Sequence, residues 1–303
     1  MNLHKTLLVI AGPTAVGKTQ LCIELAKKWQ TDVVSADSRQ LYQELSIGTA
    51  KPTPAEMQGI RHHFIDSHSI QEVVSAGRYE RECLTLLDTL FQEKDIVILT
   101  GGTGLYINAL CFGLDDIPAV DPAIREQLMA QIAAEGLLPL QTELRNRDPA
   151  YAAQADLQNT QRVVRALEVC IGTGRPFSWF RRQTPAQRPF AIKLVALDRP
   201  RPELYARIDA RMDAMLAAGL VDEARSLLPY RDHLALRTVG YQEIFGYFDG
   251  QYDYDELVFL LKRNSRRYAK RQLTWFRHQQ NYEWLTPSDT SEHNSTAFGL
   301  LPL

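Results

Sequence analysis

The stretch Leu7-Leu8-Val9-Ile10-Ala11, continued by Gly12-Pro13-Thr14-Ala15-Val16-Gly17-Lys18-Thr19, decides how the rest of the chain is read. Its apolar run with β-branched members predicts a strand. The strand passes straight into G-x-x-x-x-G-K-T, and apolar residues at helical spacing follow from Leu21 to Trp29. Strand, glycine-rich turn and helix is the context in which this pattern forms a phosphate-binding loop. Gly12 and Gly17 let the backbone curl until successive amides point at one anion. The helix expected from about Lys18 adds unpaired N–H groups and the positive end of its dipole. Gly12, Pro13, Thr14, Ala15, Val16 and Gly17 thus form the cradle, and Lys18 supplies a point charge. The Thr19 hydroxyl is the expected ligand of a phosphate-bound Mg²⁺. The loop announces a polyphosphate without saying which reaction is run on it.

Outward from that loop, Thr31-Asp32-Val33-Val34-Ser35-Ala36 predicts a second strand, ending at Asp37-Ser38-Arg39-Gln40. A carboxylate at the carboxyl end of a strand beside a phosphate loop lies on the functional edge of an α/β sheet. Ile47 to Pro52 is a loop broken by Gly48 and Pro52. His62-His63-Phe64-Ile65-Asp66 predicts a short third strand, on which the neighbouring histidines point to opposite faces and so make a poor metal pair. Ser75 to Phe91 is helical, with Leu84, Leu87 and Phe91 on one side. Ile96-Val97-Ile98-Leu99 is apolar throughout, as a central parallel strand buried on both faces would be. In many P-loop nucleotidases such a strand ends in the aspartate that helps hold Mg²⁺. Here it ends in Thr100-Gly101-Gly102-Thr103-Gly104-Leu105-Tyr106, which counts against ordinary nucleotide hydrolysis. The glycines permit close backbone approach to a ligand, and Thr103 is placed to aim a hydroxyl into the same cleft.

From about Leu114 the strand–helix rhythm stops. Asp121-Pro122 is a helix start, with Ile124, Leu128 and Ile132 following and Gly136 ending it. Further helices are expected from Leu138 to about Asn146, and from Thr160 to Gly172 or Gly174. The residues therefore predict an α/β fold: a P-loop NTPase-like core with a central parallel sheet flanked by helices (1–114 and 191–303), and an inserted all-helical subdomain (115–190). Ile192 to Leu197 returns to the sheet. Glu203 to Ala218 is amphipathic, with Arg207 and Arg211 four residues apart on one face, a spacing that suits a phosphate clamp. Asp255 to His278 reads as a long helix. Two basic stretches stand out: five Arg or Lys with no acid between Val169 and Leu197, and Lys262, Arg263, Arg266, Arg267, Lys270, Arg271 and Arg277 with no acid from Leu257 to Tyr282. Interleaved with Tyr268, Trp275 and Phe276, the second predicts an RNA or phosphate surface.

The bulk figures are ordinary for a soluble globular protein. The chain has 303 residues, 45% apolar and 23% charged, with a net charge of −2 that carries no global hint of a nucleic-acid partner. Cys22, Cys83, Cys111 and Cys170 lie far apart without metal spacing and are expected as reduced core residues of a cytoplasmic protein. No apolar run is long enough to span a membrane, and Met1 to Thr6 leave no room for a signal peptide. The tail after Ser288 is expected to be poorly ordered.

Taken together, the motifs closely resemble those of the tRNA dimethylallyltransferases. The matching stretches are GPTAVGKT at 12–19, DSRQLY at 37–42, IGTAKP at 47–52, HHFID at 62–66 and GGTGLY at 101–106. QRVVRALEV at 161–169, RTVGYQE at 237–243 and YAKRQLTWFR at 268–277 complete the set. Two departures are visible. Asn159-Thr160 stands where the family usually has Asn-Asp, and the zinc-finger extension of eukaryotic members is not expected.

The resemblance implies transfer of the dimethylallyl group of dimethylallyl diphosphate to N6 of the adenine just 3′ of a tRNA anticodon, by a monomer using Mg²⁺. It implies diphosphate in the loop, Asp37 as proton acceptor, Thr103 holding the amine and Arg211 on the leaving group. Asp37, Ser38, Arg39, Gln40 and Thr103 would meet the RNA near the base. In the insert, Arg125, Gln161, Arg162, Val163, Val164 and Arg165 would hold it. Arg237, Thr238, Val239, Gly240, Tyr241 and Gln242, with Lys270 and Arg271 of the basic helix, would also face tRNA. Two other readings share the core: prenylation of free AMP or ADP, and a P-loop small-molecule kinase. The helical insert and basic stretches argue against the first, and the missing aspartate after Leu99 against the second.

Overall fold

The computed structural model describes residues 5–181, 184–279 and 281–286. They form two compact units, one of residues up to 112 with those from 187 onward, the other of residues 113–186. Contacts thus assign 187–190 to the core unit. The tail after Ser288, and Arg182 of the first basic stretch, lie outside the described residues.

In the first unit the order is β1 (Thr6–Ala11), α1 (Lys18–Trp29), β2 (Val33–Ser35), α2 (Pro54–Met57), β3 (His62–His63), α3 (Ala76–Glu93), β4 (Ile96–Gly101) and α4 (Gly104–Phe112). The chain re-enters the sheet as β5 (Ala191–Leu197) after the second unit. It continues through α10 (Arg201–Ala217), α11 (Leu220–Ser226), α12 (Tyr241–Phe248), α13 (Tyr254–His278) and β6 (Glu283–Leu285). The six strands pair parallel throughout, in the order β3-β2-β4-β1-β5-β6. β1 therefore sits between β4 and β5, in register Ala11 with Gly101 and Ala196. Its alternate side chains feed two cores. Leu7, Val9 and Ala11 pack on one face with Val97, Leu99 and Tyr79, while Leu8 and Ile10 pack on the other with Leu21, Leu25 and Ile98. This two-sided burial explains why β1 and β4 read as unbroken apolar runs.

A parallel sheet puts all strand carboxyl ends on one edge. The phosphate-loop sequence after β1, Asp37 after β2 and the glycine turn after β4 are gathered there by topology alone. The sequence reading missed β6, whose three residues are too few for an alternation pattern; it adds to the edge of β5. His63, at the opposite edge, hydrogen-bonds Asp32 through Nε2 at 2.8 Å. All four cysteines are free and buried, and burial pushes the Cys22, Cys83 and Cys111 thiols up to about 12. No helix among the described residues is long and apolar enough to cross a membrane.

Among the described residues the regular structure of the second unit is all helix: α5 (Pro122–Glu135), α6 (Leu138–Arg147), α7 (Pro149–Ala152), α8 (Thr160–Thr173) and α9 (Phe177–Phe180). Asp121 caps α5 by accepting from the Ala123 amide, and Asn159 caps α8 by accepting from that of Arg162. Gly174 ends α8 with a left-handed φ of 68°. Leu128, Leu140, Leu144, Val163, Val164 and Leu167 form its core. The short α7 and α9 were not expected. Asp148 ties them, accepting from the Tyr151 amide and from both the amide and the hydroxyl of Ser178.

Candidate active site

The loop between β1 and α1 is held from outside by cations. Lys18 Nζ donates to the carbonyls of Gly12 at 2.9 Å and Pro13 at 2.8 Å. Arg207 Nε donates to Ala15 O at 2.8 Å and Arg199 Nε to Val16 O at 3.2 Å. With these carbonyls engaged, the loop offers amides as its polar groups for an anion. Gly17, φ 115°, is the N-cap residue of α1 and offers no side-chain cap, so the first amides of the helix keep their capacity for an external acceptor. Gly12 is required for space as well as for its φ of 142°: a Cβ there would lie 2.9 Å from Leu197 O of β5.

Arg211 Nη1 reaches the Thr14 hydroxyl at 3.4 Å. Burial, and then the charge of Arg211, pull the Lys18 ammonium down to about 8, against the pull of Asp37. Arg211 is itself lowered, first by burial and then by Arg207. Lys18 and Arg211 are thus each disfavoured by burial and by a neighbouring guanidinium, so an anion bound beside them would be favoured.

A cleft of about 370 Å³ opens on this loop. Lys18, Thr19, Arg207 and Arg211 line one part, and Asp37, Arg39, Gln40 and Tyr268 another. Asp37 Oδ1 accepts from the amides of Arg39 at 2.9 Å and Gln40 at 3.4 Å, which fixes the carboxylate in the turn after β2. No described residue donates to its Oδ2. Burial, and next the charge of Asp37, raise the Tyr268 hydroxyl well above the usual phenol range.

Thr103 is placed differently from the expectation. Its hydroxyl accepts from the Ser38 amide at 3.0 Å and lies 3.3 Å from Ser38 Oγ, and the residue does not line the cleft. It braces the turn that carries Asp37. Gln40 spends its Nε2 on the carbonyls of Thr49 and Ala50, fastening the 47–52 loop to the cleft. Glu223 of α11 holds that loop's other side. Its carboxylate accepts from the amides of Ser46, Ile47 and Gly48 and from the Tyr241 hydroxyl at 2.6 Å.

The remaining expected RNA contacts separate by burial. Thr238 and Val239 line the cleft, Arg237 and Gln242 are exposed, and Gly240 caps α12 with φ 101°. Tyr241 is fully buried and packs inside rather than facing outward. Lys270 and Arg271 are exposed, the Arg271 guanidinium 5.7 Å from the Tyr268 ring. Three other cations of the basic run on α13 are matched by acids from elsewhere in the core unit. Lys262 pairs with Asp213, Arg266 grips both oxygens of Asp209, and Arg277 pairs with Asp198. In the other basic stretch Arg188 pairs with Glu80 and Lys193 with Glu283, whereas the Arg175 and Arg181 guanidinia lie over the Trp179 and Tyr151 rings.

Within the second unit, Val163 and Val164 are fully buried, so their side chains belong to its core. Gln161 and Arg162 are exposed. Arg125 and Arg165 both engage the buried carboxylate of Glu168, at 2.9 Å and 2.5 Å, and Gln161 Oε1 accepts from Arg125. Nothing local in the sequence marks Glu168, Glu223 or Gln272 for these roles, whereas Tyr268, expected on an RNA-facing surface, stands in the cleft wall. The sequence marks Arg207 only by its spacing from Arg211, and its hold on Ala15 exists only in the fold.

The residues present fit a Mg²⁺ carried in with phosphates. Such an ion needs only one or two protein oxygens, and the Thr19 hydroxyl lies in the cleft wall beside Lys18. Among the described residues no group of three His, Cys, Asp or Glu forms an all-protein cage.

Comparison with known proteins gives a consistent result. The model of the IPP transferase family matches residues 40–279. A tRNA dimethylallyltransferase of Cytophaga hutchinsonii is 52% identical over 290 residues, covering 96% of this chain and 95% of its own. The crystal structure of the full-length tRNA isopentenylpyrophosphate transferase of Bacillus halodurans superposes with a TM-score of 0.68 at 39% identity, covering 93% of this chain and 89% of that one. A eukaryotic dimethylallyltransferase acting on tRNA reaches a TM-score of 0.78 at 26% identity, over 96% of this chain and 76% of its own.

Proposed function

The chain belongs to the IPP transferase family, and from that premise we propose that it transfers the dimethylallyl group of dimethylallyl diphosphate to N6 of the adenine immediately 3′ of the anticodon in certain tRNAs, releasing diphosphate. The observation that carries the reading is the pairing, in one cleft, of a cation-ringed phosphate loop with a carboxylate that has one oxygen to spare.

In the reaction the allylic carbon–oxygen bond breaks and its electron pair leaves with the diphosphate. Negative charge therefore grows on oxygens lying against the loop amides, Lys18 and Arg211, which bind it more strongly as it grows. A bound Mg²⁺, held by Thr19 and the phosphates, would neutralise part of the same charge. The N6 lone pair forms the new bond to carbon. Because that lone pair is delocalised into the purine, the amine attacks well only as its proton departs, and Asp37 Oδ2 is the acceptor. Thr103 serves by bracing Ser38 and so the aim of Asp37. The adenine must leave its stack to enter the cleft. Arg39 and Gln40 of the cleft wall surround it, with Ser38 in the same turn, Thr238 and Val239 form wall, and Lys270 and Arg271 take RNA phosphates; in the helical unit Arg125, Gln161, Arg162 and Arg165 are the RNA-binding residues. The enzyme acts as a cytoplasmic monomer.

The test is a competition between substrates. Purified protein, dimethylallyl diphosphate and Mg²⁺ are incubated with an anticodon stem-loop and with free AMP, and products are followed by mass spectrometry. The stem-loop should gain one dimethylallyl unit on a single adenosine, far faster than AMP. Equal or preferred modification of AMP would replace the tRNA assignment with a free-nucleotide prenyltransferase.

A further inference from the structure

Gln272 of α13 meets the phosphate loop from a position 258 residues away in sequence. Its carboxamide is used at both ends: Oε1 accepts from the Thr14 amide at 2.9 Å, and Nε2 donates to Gly102 O at 3.0 Å. The side chain is only 6% exposed yet forms part of the cleft wall. The fit is close, since a Cβ at Gly102 would lie 2.1 Å from Nε2. One amide of the loop is thereby withdrawn from any anion, and a carbonyl-type oxygen is turned towards the loop in its place.

We propose that Gln272 is a specificity-determining residue that limits the loop to a diphosphate and excludes triphosphates. Phosphates anchored on the free amides at the start of α1 occupy the later half of the loop, from Ala15 to Thr19. A third phosphate extends towards the earlier half, where Thr14 lies. There it finds an amide already satisfied and the carboxamide oxygen facing it. To enter, it must displace Gln272, breaking two hydrogen bonds and leaving the Gly102 carbonyl without its partner in a buried place. A diphosphate stops short and keeps the contacts of Lys18 and Arg211. Since G-x-x-x-x-G-K-T loops bind nucleoside triphosphates elsewhere, the device removes the competitors that such a loop would otherwise attract. The inference rests on the function proposed above, which places the donor diphosphate in this loop.

Titration calorimetry with inorganic pyrophosphate and inorganic tripolyphosphate, at fixed Mg²⁺, tests it on the full chain. The wild type should bind pyrophosphate at least about tenfold more tightly than tripolyphosphate, despite the greater charge of the latter. Gln272→Ala should strengthen tripolyphosphate binding by about tenfold or more and bring the two to near parity, with Gln272→Asn between. A purely structural strut would weaken both ligands together. Wild-type protein that binds tripolyphosphate as tightly as pyrophosphate overturns the proposal without any variant, and so does a Gln272→Ala protein that keeps the wild-type ratio. If the wild type binds neither ligand, the diphosphate site itself is wrong and the proposed function falls with it.

Discussion

Asp37 and Lys18 lie within electrostatic reach of one another, and the chemistry divides between them. Removing the proton acceptor while leaving its turn intact should harm the chemical step alone. Asp37→Asn, which keeps an oxygen for the Arg39 and Gln40 amides, is expected to slow single-turnover prenyl transfer by about 10²–10⁴-fold, with stem-loop affinity little changed. A variant with near-normal turnover would exclude Asp37 as the base. Lys18 carries a pH signature. Its ammonium titrates near 8 in the free protein, below its ordinary 10.5, because burial and Arg211 disfavour the charge. Diphosphate binding needs that charge, so kcat/KM for dimethylallyl diphosphate should fall as pH rises through about 8. Lys18→Arg should move this limb to higher pH, since a guanidinium stays protonated there. The sign for stability is opposite. Between about 8 and 10.5 the unfolded chain binds the proton that the folded one has lost, so this group raises the stability of the free protein across that window. A pH–stability curve measured with and without pyrophosphate would separate the two.

At the scale of elements, α13 shows how a charge run changes meaning once its neighbours are known. Arg266 is committed to Asp209 of α10, whereas Lys270 is exposed. The salt dependence of stem-loop binding should therefore respond unequally. Lys270→Ala is expected to flatten the log–log slope by about one unit, and Arg266→Ala to leave it nearly unchanged. A large loss of slope in Arg266→Ala would mean that RNA competes successfully with Asp209. In the helical unit, α8 carries Glu168 beneath Arg125 and Arg165. A buried carboxylate shared by two guanidinia fixes where both present themselves, and Glu168→Gln weakens that hold while keeping shape. The expected result is a several-fold higher KM for the stem-loop with kcat and the KM for dimethylallyl diphosphate nearly constant. A parallel loss in all three would assign Glu168 to folding only. Thr160, at the first position of α8, supplies no negative charge to the helix dipole. Thr160→Asp should raise stability by about 0.3–1 kcal/mol, read from denaturant unfolding.

For the molecule as a whole, the division of labour between sequence and fold follows the range of the interactions concerned. The strand, glycine turn and helix from Leu7 to Trp29 were legible because each depends on neighbours within a few residues: periodicity, β-branching, and two glycines at fixed spacing. The parallel sheet followed from apolar runs too long for a half-exposed strand, and once parallel, it had to bring Asp37 and the 101–103 turn to the edge that holds the loop. Family resemblance then supplied chemistry that periodicity cannot. The partners of individual polar groups were not legible. That Arg207 caps Ala15, that Glu223 binds three amides of the 46–48 turn, and that Thr103 braces Ser38 instead of lining the cleft depend on residues brought together from distant parts of the chain. Nor does a sequence of like charges reveal acids waiting on another helix, as Asp209 and Asp213 wait for Arg266 and Lys262. The sequence by itself determined the loop, the sheet and the edge at which chemistry occurs, because local sterics and apolar burial specify them. Only the tertiary structure decided which charges are free and which amides of the loop remain for a ligand, because a hydrogen bond or ion pair is made by proximity in space and carries no mark of it along the chain.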